Sequence, residues 1–126
     1  MKTIAILINY NGFLDTKNCV KSLLNQSNKL YKIIIVDNCS PDNSYDDLVK
    51  EYDKVEEVIV LKSEKNAGFS YGNNFGMKYA LDNFDFDFFM LINNDTISDK
   101  EVNKEFIDYY NNKFNEKLGI LTGKIY

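Results

Sequence analysis

The segment KIIIVDN, residues 32–38, is the part of the sequence that most clearly indicates the fold. Its four consecutive β-branched residues predict a strand covered on both faces, as in a parallel sheet, and this strand ends in the polar pair Asp37-Asn38. Two other runs are almost as continuously apolar: TIAILI at residues 3–8 and FDFFMLI at residues 86–92. These three runs together predict the centre of a parallel sheet.

Shorter apolar runs and helix patterns complete an alternating order of elements. VIVL at residues 58–61 and LGILT at residues 118–122 predict a third and a fifth strand. A helix pattern fills each gap, so the order is β-α-β-α-β-α-β-α-β. This order predicts one doubly wound α/β domain over residues 1–126, with a mostly parallel sheet, helices on both faces and right-handed crossovers.

Capping residues predict where the helices begin. Asp15 is expected to cap the first helix, and Ser40 followed by Pro41 to open a second that reaches about residue 52. A third helix is expected over residues 70–81. Ser98 and Glu101 form a capping-box pattern for the fourth. The apolar residues expected to be buried on this fourth helix are Val102, Phe106, Tyr109 or Tyr110, and Phe114.

Composition excludes several classes of function. The net charge is −4 and the lysines are scattered, so binding to nucleic acid is not expected. The chain has no His, which leaves oxygen ligands for any metal and favours Mg²⁺ or Mn²⁺. Cys19 and Cys39 have no metal-site spacing and are expected to be reduced thiols of a cytoplasmic protein. No apolar run is long enough to span a membrane or to form a signal peptide.

Polar residues follow each of the first four predicted strands. In an open α/β sheet, ligands bind beyond the carboxyl ends of the strands, near the change in strand order. A ligand site is therefore expected where these ends meet. The residues at the ends are Asn9-Tyr10-Asn11-Gly12, Asp37-Asn38, Lys62-Ser63 leading to Asn66-Ala67-Gly68, and Asn93-Asn94-Asp95-Thr96.

Each of these residues has two interpretations on the sequence alone. Asp95 could bind a hard cation that bridges two phosphates, or the tripeptide Asn93-Asn94-Asp95 could be a turn that closes the strand. Asp37 could accept from a base or a ribose, or it could be a cap or turn residue before the next helix. Tyr10 could stack on a base or pack at the rim of the site.

Glycines mark the segment that follows the third strand. Gly68 is expected in a turn with positive φ. Gly72 and Gly76 lie on one face of the predicted third helix, where they allow close approach either of a strand or of a ligand. The N-terminus of this helix would present free N–H groups to an anion.

Four blocks of sequence resemble those of family 2 glycosyltransferases. They are ILINYNGFLDTKNCVKSLLNQS (6–27), IIIVDNCSPDNS (33–44), NAGFSYGNNFGMKYA (66–80) and MLINNDT (90–96). They occur in the family's order, each at a strand end, and they span most of residues 4–96. The third and fourth blocks are most similar to the subgroup that includes rhamnosyltransferases and related cell-surface polysaccharide transferases.

The resemblance implies a GT-A fold and a nucleoside-diphosphate-sugar donor linked to UDP, dTDP or GDP. Asp95 occupies the last position of the family's D-x-D motif and would hold Mg²⁺ or Mn²⁺. Because the motif keeps only this carboxylate, weak metal binding is expected. The implied donor-binding residues are Tyr10, Asn11, Asp37, Asn38, Asn66, Gly68, Asn93 and Asn94.

The resemblance also implies inverting transfer of a sugar to an acceptor hydroxyl of a glycan or lipid-linked glycan, in cell-surface polysaccharide synthesis. Family members are about twice this length. The chain is therefore expected to bind donor but to lack the catalytic base, which would lie beyond Tyr126, in a cytoplasmic parent protein that can associate with a membrane. A terminal edge strand would favour a homodimer.

A non-catalytic nucleotide-binding or interaction module remains open. A phosphoacceptor receiver domain needs acidic residues after the first strand and Asp after the third, where this chain has Asn9-Tyr10-Asn11 and Lys62-Ser63. A sugar nucleotidyltransferase needs a Gly-rich loop with a following Arg and Lys, which the segment from Asn11 to Phe13 does not supply.

Overall fold

Four strands and four helices alternate along the chain. The computed structural model describes residues 1–113 and 119–123. In chain order the elements are β1 (Thr3–Asn9), α1 (Phe13–Leu24), β2 (Lys32–Asp37), α2 (Ser44–Tyr52), β3 (Val58–Lys62), α3 (Phe69–Asn83), β4 (Phe88–Leu91) and α4 (Val102–Asn112).

The strands form one parallel sheet in the order β3-β2-β1-β4. β1 pairs with β2 on one side and with β4 on the other, and β3 pairs with β2, all in parallel. The chain first adds strands in one direction and then returns to the other side of β1, so the change in strand order lies between β1 and β4. The predicted doubly wound α/β fold is confirmed.

Helices cover both faces of the sheet, because alternate side chains of a strand point to opposite faces. On one face, Ala5 and Leu7 of β1 are buried in a core with residues of α1 and α2. On the other face, Ile4 and Ile6 are buried with Ala80 of α3. These two apolar cores leave β1 and β2 inaccessible to solvent along almost their whole length.

Helix α4 packs on the same face of the sheet as α1. The backbone N–H of Asn103 donates to Gln26 Oε1 at 3.0 Å, and its side chain donates to the carbonyl oxygen of Asn28 at 2.9 Å. The Tyr110 ring meets the Phe88 ring edge-on, with 4.9 Å between centroids. α4 is thus tied to the loop after α1 and to β4.

Two of the predicted helix starts are wrong. α1 begins two residues before Asp15, which therefore lies in the first turn and does not cap the helix. α2 begins at Ser44 and not at Pro41. The reason is that the Ser40 hydroxyl donates to Asp37 Oδ1 at 2.7 Å, which commits it to the preceding turn. The third helix is confirmed, since α3 contains the whole predicted range.

The capping box predicted for α4 is also wrong. Glu101 occupies the N-cap position, and no side chain caps the helix. The backbone N–H of Ser98, which precedes α4, donates to Ser22 Oγ at 3.0 Å. The Glu101 carboxylate accepts from Ser27 Oγ at 2.9 Å. Both residues are used to hold α4 to the end of α1.

The buried face of α4 differs from the expected one. Its buried residues are Asn103 and Ile107. Among the residues expected to be buried, Val102, Phe106 and Tyr110 are half-buried, Tyr109 is 49% exposed, and Phe114 lies outside the described residues.

The fifth strand is not formed by the part of it that the structure describes. Residues 119–122 have no strand conformation, and Leu118 lies outside the described residues. β4 was expected to be covered on both faces, but it is half-buried and its Leu91 is 51% exposed. It is one of the two edge strands of the described sheet, which explains the lower burial. Cys19 and Cys39 are free thiols as expected.

No helix in residues 1–113 or 119–123 is long and apolar enough to cross a membrane.

Candidate functional site

The carboxyl ends of β1, β2 and β4 lie side by side. Asn9 is in register with Asp37, and beyond them the backbone N–H of Asn38 donates to the carbonyl oxygen of Asn9 at 2.8 Å. On the other side of β1, the N–H of Ile92 donates to the carbonyl oxygen of Ile6 at 3.1 Å. The polar residues that follow the strands are therefore brought to one edge of the sheet, at the change in strand order.

Asp37 is fully buried at this edge and is held by three hydrogen bonds. Its Oδ1 accepts from Asn9 Nδ2 at 2.9 Å and from the Ser40 hydroxyl at 2.7 Å. Its Oδ2 accepts from the Ser40 N–H at 3.0 Å. Ser40 Oγ in turn accepts from the N–H of Asn11 at 3.0 Å. The turn role expected for Asp37 is confirmed, and the turn is tied to the loop after β1.

The loops after β1 and β2 both contain a residue in the left-handed region. Asn11 has a φ of 51° and Cys39 a φ of 60°. A positive φ in a non-glycine residue persists only where surrounding contacts impose it, and the Asn11–Ser40 bond supplies one such contact. In the loop after β1, Tyr10 is 47% exposed.

Asn38 joins the end of β2 to the loop that leads into α3. Its Nδ2 donates to Asn66 Oδ1 at 3.1 Å and to the carbonyl oxygen of Gly68 at 3.2 Å. Its Oδ1 accepts from Ser63 Oγ at 2.9 Å. Gly68 has a φ of 93°, as expected for a glycine turn. The buried Asn38 thus positions the exposed Asn66 and the N-terminus of α3.

Asn93, Asn94 and Asp95 form a turn after β4. The N–H of Thr96 donates to the carbonyl oxygen of Asn93 at 3.1 Å, so the turn interpretation of this tripeptide is confirmed. Asn93 and Asp95 are exposed. Asn94 is half-buried and faces the protein, where its Nδ2 donates to Thr16 Oγ1 at 3.1 Å. The turn therefore offers one amide and one carboxylate to solvent.

The charge of Asp95 affects the buried thiol of Cys19. Burial, with the negative charge of Asp95 adding to it, raises the pKa of the Cys19 thiol to about 11. The Cys19 thiol donates to the carbonyl oxygen of Asn93 at 3.6 Å. Cys19 is thus kept as a neutral donor beneath the turn that carries Asp95.

The side chains of this turn fit a cation only together with a ligand. Within residues 1–113 and 119–123, no three His, Cys, Asp or Glu side chains are close enough to hold a metal ion. Mg²⁺ is commonly bound by one or two carboxylates, with waters and substrate phosphates completing its shell. Asp95 with its neighbouring amide oxygens would supply the single carboxylate of such a site.

Sequence reasoning missed the hydrogen bonds that organise this edge, and it did not single out Thr16 at all. Asn9, Thr16, Ser40 and Ser63 all bond to the residues that were singled out. Thr16 carried a signal, because it lies on the same helix face as the buried residues Cys19, Val20 and Leu23, where a polar side chain needs a partner.

Comparison with known proteins gives a consistent assignment. The model of Glycosyl transferase family 2 matches residues 4–116. The low-salt glycan biosynthesis hexosyltransferase Agl10 of Haloferax volcanii is 28% identical over 100 residues, which cover 79% of this chain and 28% of that protein.

Two solved structures have the same fold. TarS of S. aureus in complex with UDP-GlcNAc has a TM-score of 0.76 and 22% identity, covering 90% of this chain and 32% of that one. The mannosyltransferase PcManGT of Pyrobaculum calidifontis, with GDP-Man and Mn²⁺, has a TM-score of 0.73 and 12% identity, covering 86% and 32%. The chain spans about a third of the length of these proteins.

The receiver and nucleotidyltransferase interpretations are set aside by the family match, which covers most of the chain. The fold, the order of the four sequence blocks and this match agree: the chain belongs to Glycosyl transferase family 2.

Proposed function

We propose that this chain forms the donor-binding part of an inverting glycosyltransferase, which transfers a sugar from a nucleoside diphosphate to an acceptor hydroxyl. The observation that carries the proposal is the placement of Asp37 and Asp95 after β2 and β4, on either side of β1 at the change in strand order. A donor lying across the end of β1 meets one carboxylate with its nucleoside and the other with its diphosphate.

The nucleoside is proposed to lie between Tyr10 and Asp37. The half-exposed ring of Tyr10 offers a stacking surface for a base. Asp37 is fully buried, so a base N–H or ribose hydroxyl reaches it by displacing the half-buried hydroxyl of Ser40. Asn11, Asn38, Asn66 and Gly68 complete this side of the proposed site.

The diphosphate is proposed to lie at the turn formed by Asn93, Asn94 and Asp95. The exposed Asn93 amide donates to a phosphate or ribose oxygen, and Asp95 would hold a divalent cation at the diphosphate. A bound Mg²⁺ or Mn²⁺ offsets the negative charge that builds on the leaving diphosphate. The Mn²⁺ in the mannosyltransferase complex supports this choice of ion.

The base that deprotonates the acceptor is proposed to lie outside these 126 residues. Asp37 is committed to three hydrogen bonds and Asp95 to the cation, so neither carboxylate is left for this role. The chain also spans only about a third of the relatives it matches. On its own, the chain is expected to bind donor without transferring sugar.

The acceptor is proposed to be a glycan or a lipid-linked glycan, in the synthesis of a cell-surface polysaccharide. The glycan-biosynthesis role named for the Haloferax relative supports this class of pathway. The blocks NAGFSYGNNFGMKYA and MLINNDT support a rhamnosyltransferase-like donor preference. The free thiols Cys19 and Cys39 support a cytoplasmic location, and the half-covered edge strand β4 supports a homodimer.

Calorimetric titration with UDP, dTDP and GDP, each with and without Mn²⁺, tests the proposal. We expect one nucleotide to bind more tightly than the other two, and its affinity to rise when Mn²⁺ is present. The corresponding nucleotide sugar should bind at the same site, and dTDP-rhamnose tests the subgroup. Absence of binding by all three nucleotides would overturn the donor-site proposal, whereas metal-independent binding would favour a non-catalytic nucleotide-binding module.

A further inference from the structure

A continuous line of polar side chains crosses the protein from the end of β2 to the turn after β4. Asn9 Nδ2 donates to Asp37 Oδ1 at 2.9 Å, and Thr16 Oγ1 donates to Asn9 Oδ1 at 2.7 Å. Asn94 Nδ2 then donates to Thr16 Oγ1 at 3.1 Å. Asn9, Thr16 and Asp37 are fully buried. The line therefore joins the two ends of the proposed donor site beneath its surface.

The direction of every bond in this line is set by the chemistry of its members. Both side-chain oxygens of Asp37 accept hydrogen bonds, so the amide of Asn9 turns its Nδ2 toward Asp37 and its Oδ1 toward Thr16. The single hydroxyl proton of Thr16 is then used on Asn9, which leaves its lone pair to accept from Asn94. A hydroxyl can donate and accept at one atom, and an apolar side chain of the same shape cannot.

Packing also ties the turn after β4 to the start of α1. A Cβ added to Gly12 would lie 3.0 Å from Asn94 Nδ2, so the Asn94 amide lies directly against the loop that precedes α1. Thr16 is on the buried face of α1 beside Cys19 and Val20. An apolar residue there would suit that core, so the hydroxyl needs a reason beyond filling space.

We propose that Thr16 is a positioning residue for donor binding. Its hydroxyl holds Asn94, and with it the turn that carries Asp95, at a fixed position relative to Asp37. A nucleoside diphosphate must meet both ends of the site at once, so it depends on this position, whereas a ligand that occupies only the nucleoside end does not. The inference rests on the proposed donor-binding function.

The substitution Thr16→Val tests the proposal because it keeps the side-chain shape and removes the hydroxyl. We expect the affinity for the preferred nucleoside diphosphate with Mn²⁺ to fall about tenfold. The affinity for the matching nucleoside, titrated without metal, should change less than about twofold. Thr16→Ser keeps the hydroxyl and should restore the wild-type ratio of the two affinities. Circular dichroism checks that each variant is folded.

A double-mutant cycle tests whether Thr16 affects donor binding through Asn94 or through a general loss of order in the protein. If Thr16 acts through Asn94, the double variant of Thr16→Val with Asn94→Ala binds the diphosphate no more weakly than Asn94→Ala alone. If Thr16→Val does not fold, Thr16→Cys replaces it, since a thiol keeps the volume but is a weaker donor, and it should give a smaller loss in the same direction.

The outcomes distinguish this inference from the proposed function. Wild-type protein that binds no nucleotide contradicts the proposed function itself. If the wild-type protein binds nucleotide and Thr16→Val loses affinity equally for the nucleoside and for the nucleoside diphosphate, then Thr16 has a purely structural role. That result overturns the positioning role. The positioning role is also overturned if Thr16→Val leaves the affinity for both ligands unchanged. It is overturned as well if the effects of Thr16→Val and Asn94→Ala on diphosphate affinity are additive.

Discussion

Asp95 is an exposed carboxylate in a turn, so it can be changed without disturbing the core. We expect Asp95→Asn to remove most of the Mn²⁺-dependent gain in nucleotide affinity, about tenfold or ~1.4 kcal/mol, because an amide oxygen carries no charge. The melting temperature should remain that of the wild type. Calorimetry with and without Mn²⁺ measures the change in nucleotide affinity, and thermal denaturation measures the melting temperature.

Asp85→Asn is the matched control for Asp95. Asp85 is equally exposed, but it precedes β4 and lies at the opposite end of the sheet. The Asp85→Asn variant should bind nucleotide and Mn²⁺ as the wild type does. If Asp95→Asn retained the full Mn²⁺ effect while nucleotide still bound, the cation would have to be held elsewhere.

Cys19 and Tyr52 predict a loss of stability at alkaline pH. Burial raises the pKa of the Cys19 thiol from 9.0 to about 11, with Asp95 adding to the effect. Burial raises the pKa of the Tyr52 phenol from 10.0 to about 12, with Glu51 adding to it. The fold favours the protonated form of both groups. Their contribution to stability is therefore complete below the unfolded pKa and is lost as the pH rises through the folded one.

The melting temperature should therefore be steady near neutral pH and fall progressively above about pH 9. Tyr52→Phe removes the phenol while keeping the ring, and Cys19→Ala removes the thiol. Each variant should show a shallower fall than the wild type over the window of its own group, whatever its starting stability. A parallel fall in the wild type and both variants would assign the alkaline transition to other groups.

At the residue scale, the sequence identified the polar residues at the strand ends but not what they bond to. Asp37 and Asp95 are both at the expected edge, and their turn roles are confirmed. Asn9 was placed at the end of β1 without a partner and Thr16 was not singled out, because the partner of a buried polar side chain is set by residues far away in the chain. The bond from Asn94 to Thr16 spans 78 positions.

At the scale of elements, α3 packs unusually close to the sheet. A Cβ on Gly76 would lie 3.0 Å from the Cγ2 atoms of both Ile6 and Val36. These atoms belong to β-branched side chains on two central strands, which have little room to move. On Gly72, the first contact would be at 2.9 Å with Ile8 Cδ1, the end of a flexible side chain. The glycines thus serve strand packing, one of the two roles expected for them.

We expect Gly76→Ala to lower the free energy of unfolding by up to about 2 kcal/mol. Overpacking costs roughly 1–3 kcal/mol, and the gain of about 1 kcal/mol from replacing a helical glycine offsets part of that cost. Gly72→Ala should cost less, since Ile8 Cδ1 can rotate away. Urea denaturation measures both, with Asn74→Ala on the exposed face of α3 as the control. A stabilised Gly76→Ala would contradict this packing argument.

The helix starts also show that a local sequence pattern does not identify the partner of a polar residue. Sequence rules placed caps at Asp15, Ser40 and Ser98, and none of the three caps a helix in the structure. Ser40 bonds to Asp37, and the backbone of Ser98 bonds to Ser22. A capping residue is recognised by its local pattern, but the same side chain can bond to a neighbouring turn instead, as the Ser40 hydroxyl does with Asp37.

At the scale of the whole molecule, β4 presents a partly covered apolar edge. Within residues 1–113 and 119–123 it pairs with β1 alone. A cavity of about 670 Å³ lies between β4 and α4, bordered by residues 119–123. Its lining includes Phe88, Met90, Phe106 and Tyr110. An exposed apolar strand edge of this kind favours pairing with another chain.

We therefore expect the protein to self-associate as its concentration rises, with a mass above that of the monomer by light scattering. Leu91→Lys places a charge on the exposed edge and should shift the equilibrium toward the monomer. Leu81→Lys is the matched control, because Leu81 is exposed on α3, away from this edge. A monomeric wild-type protein at the highest attainable concentration would contradict the homodimer proposal.

The sequence by itself determined the alternation of strands and helices, the parallel sheet and the positions of the polar strand ends. These features depend on local apolar patterns and on the fixed geometry of strands and crossovers. The four blocks also identified the family, which the family match confirms.

Only the tertiary structure decided which polar groups are joined. Asp37 and Asn94 lie 57 positions apart, and nothing local links them. The parallel register brings Asn9 beside Asp37, and the packing of α1 on β1 brings Thr16 beside Asn9 and Asn94. Hydrogen bonds of this kind are satisfied across the fold and not along the chain. The turn that carries Asp95 was predicted, but its connection to Asp37 through Thr16 was not.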